Sequence, residues 1–567
     1  MASALELVLS DSDIIAVLQR RTPAEVKAWR KEVRQFATDS ERLLAAVGED
    51  NLRSRLPRSL LAVLEDEQGP LTGLDIAEAA IATHHTDALR QFKEHLGHLD
   101  PPRQWAGGRA ELEFVRSLGF SDEWAGEQRR RRPAFMEVEG PRSLKELHPY
   151  QKKVAANLRE MLLSGQNEGA QRRGTISMPT GSGKTRVAVQ AVVEAIRDDG
   201  FPSGVLWVAD RDELCEQAVQ AWEEVWRSEG IEAKQLRISR LWGVQPAPLP
   251  SSDLHVVVAS VQTLHSRLSR WGKEYGFLRD FQLVVFDEAH RSISPTSTSV
   301  MREIGLTYRQ EEEEPRLLGL TATPYRGHDE AETKWLARRY GENRLDRGAF
   351  RSDDPQEVIQ ELQHEGVLAR ANHELIEGGT FELSDSDWEE IRKFVPKPEQ
   401  GVPRRGWLPQ SVEDRIAANT ERTRHIIEAY EKHIEPDWST LIFATSVEHA
   451  QTLAALLNRI GITARPVSGT TEPATRRRVV EEFRSGEIQA LVNYAVFREG
   501  FDAPKTRAII VARPVYSPNL YFQMIGRGLR GPKNGGDDRC LILNVRDNIE
   551  GFGEALAFSD LDWLWDN

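Results

Sequence analysis

Met178-Pro179-Thr180-Gly181-Ser182-Gly183-Lys184-Thr185 follows the β-rich run Gly174–Met178 and leads into a helical stretch from Arg186. A strand, a glycine-bearing loop and a helix in that order make a phosphate-binding loop. Gly181 and Gly183 let the backbone curl until its N–H groups converge on phosphate oxygens, helped by the helix N-terminus behind them. Lys184 is placed to reach the β and γ phosphates of a nucleotide, and Thr185 to offer its hydroxyl to Mg²⁺. Thr180 and Ser182 complete the loop. The general motif starts on glycine and this one starts on Met178, so it is a variant form.

Working outward, short β-rich runs alternate with helical segments: Gly174–Met178, Gly204–Ala209, Val256–Ser260, Leu283–Phe286 and Leu317–Leu320. That alternation predicts a parallel sheet covered by helices on both faces. The run Leu283-Val284-Val285-Phe286 ends in Asp287-Glu288-Ala289-His290. A carboxylate at the C-terminal end of a parallel strand, beside the loop, is where a metal ion on the phosphates is held. Asp287 is therefore the expected Mg²⁺ residue together with Thr185, and Glu288 the base that polarises the attacking water. A second alternating block follows, with strands expected at Ser439–Ala444, Ala464–Val467, Ala490–Asn493, Ala508–Val511 and Cys540–Leu543.

These blocks divide the chain into a helical N-terminal region (1–105), a linker (106–145), a first α/β domain (146–330), a connector with a long helix at Ser411–His433 (331–435), a second α/β domain (436–556) and a tail (557–567). In the first region Thr22-Pro23-Ala24-Glu25 reads as a capping box with proline at the first helical position. Leu60, Leu61, Val63 and Leu64 supply an apolar face. A bundle docked on the rest of the chain is one reading of this region, and a partner or nucleic-acid module is the other. The linker carries Arg129-Arg130-Arg131-Arg132, which reads equally as a phosphate contact or a solvated loop.

The composition is that of a soluble protein, with 40% hydrophobic and 29% charged residues among 567 and a mean hydropathy of -0.50. No apolar run approaches the ~20 residues of a membrane helix. Met1–Leu18 lacks the basic start of a signal peptide. The chain is thus expected in the cytoplasm, away from membranes. Cys215 and Cys540 have no ligand-like neighbours, which argues against a disulfide framework or zinc site. A net charge of -14 excludes a surface coated in basic charge but not a local phosphate groove.

From about residue 112 to 555 the motifs and their order resemble a superfamily 2 helicase of the DEAH-box, type III restriction res-subunit-like group. The resemblance implies an α/β fold of two tandem RecA-like P-loop domains hydrolysing ATP with Mg²⁺. Leu147-His148-Pro149-Tyr150-Gln151 is similar to the segment whose glutamine reads adenine, which assigns Gln151 to ATP. Leu320-Thr321-Ala322-Thr323-Pro324 resembles the coupling motif. Glu499-Gly500-Phe501-Asp502-Ala503-Pro504 resembles the motif facing nucleotide and nucleic acid, with Gly500 and Asp502 at the nucleotide. Gln523-Met524-Ile525-Gly526-Arg527-Gly528-Leu529-Arg530 resembles the motif of the arginine finger. Positions 523, 527 and 530 share a face if the segment is one helix, and the family pattern makes Arg530 the finger with Arg527 beside it.

The resemblance extends to the strand-contact motifs. Arg211 in Trp207–Arg211, Ser260, Gln262 and Thr263 in Ser260–Thr263, Thr445 and Ser446 in Phe443–Ser446, and Ser468 and Gly469 in Val467–Thr470 are the implied nucleic-acid residues. DEAH together with the res-subunit layout tilts the expected polymer to DNA, with RNA as the alternative. A duplex translocase that never unwinds, and an ATPase scaffold binding a protein through residues 1–105, stay open. Restriction or anti-phage defence and DNA repair are the roles such a layout implies, and cutting would require a partner nuclease.

Overall fold

The structure is a computed structural model that describes residues 22–126, 135–139, 144–164, 171–202, 204–243, 245–247, 254–271, 274–308, 310–311, 314–322, 330–394, 408–496, 503, 505–515 and 518–549. The arginine run at 129–132, the proline- and glycine-rich loop near 401, Gly500, Asp502 and the tail lie outside the described residues. The strands are β1 (Phe135–Glu139), β2 (Arg173–Ser177), β3 (Gly204–Ala209), β4 (Gln235–Leu241), β5 (His255–Ser260), β6 (Leu283–Asp287), β7 (Arg316–Thr321), β8 (Arg370–Phe381), β9 (Ser439–Phe443), β10 (Ala464–Ser468), β11 (Ala490–Tyr494), β12 (Thr506–Val511) and β13 (Arg539–Ile549). The architecture is α/β, with two sets of parallel strands flanked by helices and a helical N-terminal region.

The chain forms two compact units. One takes in the described residues within Met1–Arg130, Gln410–Asp437 and Ala444–Tyr494; the other takes in those within Arg131–Pro409, Trp438–Phe443 and Ala495–Asn567. The second unit holds a seven-stranded sheet in the order β1-β4-β5-β3-β6-β7-β2. All neighbours are parallel except β1, which runs antiparallel to β4. Its central strands β5 (HVVVAS) and β6 (LVVFD) are buried along their whole length, as strands covered on both faces must be. The helix Asp212–Glu229 lays Trp222 and Trp226 into the layer beneath, and Trp222 meets Trp207 of β3 edge-on at 6.3 Å between ring centres. In the same unit β9, β12, β13 and β8 lie side by side in that order, all parallel.

Three strands escape the apolar-run reading. β8 lies in the connector, where no strand was expected, and it pairs with β13 from Arg370 to Phe381. Its sequence RANHELIEGGTF is polar because one side of the strand faces outward, with Leu375 nearly half exposed. β1, at the sheet edge, and β4 (QLRISRL) beside it hide because neither has an apolar run; in β4 the buried Ser239 and Arg240 are paired, with His255 at 2.8 Å and Glu216 at 3.2 Å. The expected helix Ser411–His433 is two helices, Gln410–Ala417 and Thr420–His433. Asn419 breaks it, its side chain accepting the Arg422 N–H at 2.8 Å as the cap of the second helix.

In the other unit the N-terminal helices begin with the capping box at Thr22, where the Glu25 carboxylate accepts the Thr22 N–H at 2.8 Å. Their apolar core continues past residue 105 through Trp105, Phe114, Val115, Leu118 and Trp124. Ala455 and Leu456 of the helix Val447–Arg459 complete it. Ser59 and Thr452 share a buried hydroxyl–hydroxyl bond of 2.9 Å in that seam. β10 and β11 pair in parallel in this unit. Cys215 and Cys540 are buried free thiols, and no described helix is long and apolar enough to cross a membrane.

Candidate nucleotide site and strand-contact loops

β2 ends at Ser177 and the loop Met178–Gly183 follows, before the helix Lys184–Asp198. Gly181 and Gly183 have φ of +87° and +88°, a region in which a side chain is strained. A methyl group on Gly183 would also stand 2.6 Å from the Gln151 amide nitrogen. The loop is closed by its own groups: the Ser182 hydroxyl donates to Pro179 O at 2.6 Å. Lys184 Nζ donates to Met178 O at 2.8 Å and Pro179 O at 3.2 Å. The buried residues of the following helix, Val187 to Val193, anchor it against the sheet and so fix the direction of its first N–H groups. Thr180 and Thr185 are both partly buried.

The Lys184 ammonium is partly buried among protein groups, and desolvation drives its pKa down to about 8. The Glu288 and Asp287 carboxylates pull the other way, and the Arg527 guanidinium adds to the depression. This ties Lys184 to both DEAH acids and to an arginine 343 positions away in sequence. Asp287 ends β6 with its Oδ1 accepting the Glu288 N–H at 3.0 Å. Glu288 sits at φ +53°, a left-handed conformation seldom taken by a residue with a side chain. Its Oε2 is 3.3 Å from His290 Nδ1. No group of three or more His, Cys, Asp or Glu residues gathers as a metal cage among the described residues. One carboxylate and one hydroxyl suit a magnesium ion, which takes most of its ligands from phosphates and water. Asp287 and Thr185 fit that requirement.

Gln151 lies in the first turn of the helix Pro149–Leu163, and both ends of its amide bond to protein. Nε2 donates to Ser182 O at 2.8 Å while Oε1 accepts the His148 N–H at 2.9 Å. The Tyr150 hydroxyl donates to the same Ser182 carbonyl at 2.8 Å. The two side chains therefore brace the phosphate loop from one side, a contact that the adenine assignment did not foresee. Met178 N donates to Thr321 O at 3.2 Å, so the first residue of the coupling motif's threonine pair touches the loop's entry. Thr323 and Pro324 lie outside the described residues.

The segment Gln523–Arg530 is not one helix. The helix Pro518–Ile525 stops, residues 526–528 turn, and Arg530 pairs with Leu368 as an antiparallel bridge. The turn requires glycine, because a side chain on Gly526 would come within 2.7 Å of Thr180 Cβ, and one on Gly528 would collide with Cys540. The shared helical face for Gln523, Arg527 and Arg530 is thereby corrected. The turn still brings the arginines to the loop, as Arg530 Cγ lies 3.5 Å from where a Gly181 Cβ would stand. Gln523 is buried on the helix, which Asn544 holds by a 2.7 Å bond to the Tyr521 hydroxyl.

Sequence reasoning missed Asn534. Its Nδ2 donates to Gly181 O at 3.0 Å and Val367 O at 3.3 Å, while Oδ1 is 3.3 Å from His148 Nε2. It thus links the turn after Arg530 to the phosphate loop and to the Gln151 helix. An asparagine before glycine reads as an ordinary turn former, so nothing in the sequence marks it.

The residues expected to contact a nucleic-acid strand sit where parallel strands end. Arg211 follows β3 and its Nη1 donates to Ala495 O at 3.1 Å. Gln262 Nε2 donates to Asp210 Oδ1 at 3.0 Å, and Asp210 also pairs with Arg291, the residue after the DEAH tetrapeptide. Ser260 Oγ donates to Thr263 Oγ1 at 2.9 Å and accepts the Thr263 N–H at 3.3 Å. In the other unit the Thr445 N–H donates to His449 Nδ1 at 3.3 Å, and Ser446 caps the following helix. Ser468 shares a 2.8 Å bond with Thr470 while Gly469 is exposed, its carbonyl held by Arg476 at 3.3 Å.

Comparison with known proteins matches residues 144–326 to the family "Type III restriction enzyme, res subunit" and residues 421–531 to "Helicase conserved C-terminal domain". The chain is 28% identical over 407 residues to the "Putative mitochondrial ATP-dependent helicase irc3" of Schizosaccharomyces pombe, covering 71% of this chain and 58% of that one. IRC3 of Saccharomyces cerevisiae is 26% identical over 393 residues, 66% of this chain and 48% of its own. The chain thus spans about half the length of these two relatives. The "DNA 3'-5' helicase XPB" of Kineococcus radiotolerans is 24% identical over 507 residues, 88% of this chain and 73% of that one.

Proposed function

As the chain belongs to the superfamily 2 helicases, in the group built on a type III restriction res-subunit domain, we propose that it is an ATP-driven motor acting on DNA. The observation that carries this reading is the convergence on Lys184 of Asp287, Glu288 and Arg527 around a glycine loop. Lys184 and the loop N–H groups bind the β and γ phosphates, and in doing so Lys184 gives up its bonds to Met178 O and Pro179 O. Thr185 and Asp287 are the residues to hold a magnesium ion, which supplies charge neutralisation when bound. Glu288, set at the strand end in a strained backbone, orients the attacking water and takes its proton. Arg527 and Arg530 place guanidinium charge on the phosphoryl group as it transfers, and Gln523 stands beside them. Gln151 braces the loop through its bond to Ser182 O, and reading adenine requires its amide to leave that carbonyl or to use its second N–H.

Coupling to the polymer runs through Arg291, Asp210 and Gln262, a chain of contacts from the DEAH strand end to a loop expected to hold phosphates. Loss of the γ-phosphate shifts Glu288, and its neighbour Arg291 transmits that shift to Asp210. Such contacts to strand-ending loops bind backbone and leave sequence unread. The likeness to a DNA 3'-5' helicase, which extends over 88% of this chain, favours DNA over RNA. A soluble, cytoplasmic protein is part of the same reading.

ATP hydrolysis measured with single-stranded DNA, duplex DNA and RNA tests the proposal. DNA is expected to raise turnover by about tenfold or more, as for motors whose strand contacts complete the site. Stimulation by RNA alone would replace DNA as the polymer, and stimulation by none would remove the motor. Strand displacement measured beside triplex displacement then separates unwinding from translocation on duplex.

A further inference from the structure

A cleft of about 740 Å³ opens in the unit that contains the N-terminal helices, between the segments around His85 and Arg103 on one wall and β10 with the helix Pro473–Ser485 on the other. Six cations line it: Arg55, Arg90, Lys93, Arg103, Arg465 and Arg478. Its three carboxylates, Asp87, Glu94 and Glu472, are already taken. Arg55 pairs with Glu94 at 2.6 Å, and Arg90 pairs with Asp87 at 3.1 Å and with Glu472. Arg478 turns to Glu482 at 3.3 Å. Lys93, Arg103 and Arg465 have no carboxylate within ion-pair distance among the described residues. In a chain with a net charge of -14, a hollow with three such cations is a local reversal of sign.

Arg465 shows the strain of this arrangement. Desolvation of this β10 side chain lowers its pKa to about 10; Glu482 only partly compensates and Arg478 adds to the depression. A cation partly drawn out of water with incomplete compensation is unfavourable and is relieved by an incoming anion. The three cations stand on both walls instead of around one point, which suits an extended polyanion better than a single phosphate. Ser468 and Thr470, from the loop expected to meet a strand, line the same cleft.

We propose that this cleft is a strand-binding groove, in which Lys93 and Arg103 of the N-terminal region and Arg465 of β10 hold backbone phosphates of the nucleic acid that reaches the Val467–Thr470 loop. The N-terminal helices are then part of the track. This inference rests on the motor reading above and adds the site and the residues. Since phosphates are bound through charge, the groove contributes affinity and salt dependence with no preference for base sequence.

The test uses the full chain carrying Lys93→Glu with Arg103→Glu, both exposed side chains outside the nucleotide site. Binding of a labelled single-stranded oligonucleotide is followed by fluorescence anisotropy across a salt titration. The double variant is expected to bind about tenfold or more weakly, and its log–log salt slope to fall by about 0.7 for each phosphate no longer neutralised. Hydrolysis of ATP without polymer stays at the wild-type rate. Lys93→Gln with Arg103→Gln, which removes charge and adds none, shifts affinity in the same direction by less. Wild-type affinity and slope in both double variants would overturn the groove and leave the motor standing. Failure of the wild-type chain to bind any polymer would overturn the motor reading itself.

Discussion

Replacing Gly183 with alanine tests how the phosphate loop is held. The residue sits at φ +88°, where a non-glycine residue is disfavoured by about 1–2 kcal/mol. Its new methyl would stand 2.6 Å from Gln151 Nε2, which donates to Ser182 O at 2.8 Å. Gln151 has to swing away, and the loss of that buried hydrogen bond adds about 0.5–1.5 kcal/mol. Together these predict that an ATP analogue binds about tenfold to several-hundredfold more weakly to Gly183→Ala, since about 1.4 kcal/mol is a factor of ten. Isothermal titration calorimetry on Gly183→Ala, Gln151→Ala and the double variant separates the two contributions. In the Gln151→Ala background the glycine substitution should have a smaller effect, by about the hydrogen-bond share, because neighbours in contact are not additive. Equal effects in both backgrounds, or unchanged affinity in Gly183→Ala, would refute the claim that the glutamine braces the loop.

Other consequences follow from individual bonds and charges. Asn534→Ala removes bonds to Gly181 O and Val367 O, so ATP turnover should fall by about three- to thirtyfold, with the fold intact by thermal melting. Glu288→Gln should still bind nucleotide in a filter assay while turnover drops by about 10²–10⁴, and normal turnover would remove Glu288 as the base. Lys184 has its pKa lowered to about 8, so its charge is lost as pH rises through that value and is restored when phosphate binds. Nucleotide binding above pH 8 should therefore take up protons, seen as a buffer-dependent binding enthalpy that Lys184→Arg abolishes. Asp210→Ala cuts the link from Arg291 to Gln262, and should lower polymer-stimulated hydrolysis more than basal hydrolysis.

The phosphate loop and the DEAH strand end were legible because their chemistry is written in consecutive residues. Glycines at 181 and 183 and an acid closing LVVF need no tertiary information. The central strands were readable for the same reason: burial on both faces demands continuous apolar runs. β8 faces outward on one side and tolerates polar residues there, while β4 buries Ser239 and Arg240 against His255 and Glu216; in both, polar residues erase the signal. Gln523–Arg530 was misread as one helix because spacing alone favours it. The decisive facts, the close approach of Gly526 to Thr180 and of Gly528 to Cys540, are tertiary. Asn534 was invisible because its importance lies in which carbonyl it reaches. The N-terminal region gave its capping box but not its extent, which Trp105 and Trp124 set by entering one core.

In the proposed reaction Lys184 and Arg530 act on the same phosphate at different moments. Single-turnover hydrolysis and analogue affinity, measured side by side on Lys184→Ala and Arg530→Ala, address that directly. Lys184→Ala should lose both, whereas Arg530→Ala should hydrolyse about 10³-fold or more slowly while binding the analogue within about threefold of wild type. An Arg530→Ala chain that loses affinity as steeply as it loses turnover, or that hydrolyses at the wild-type rate, would contradict it.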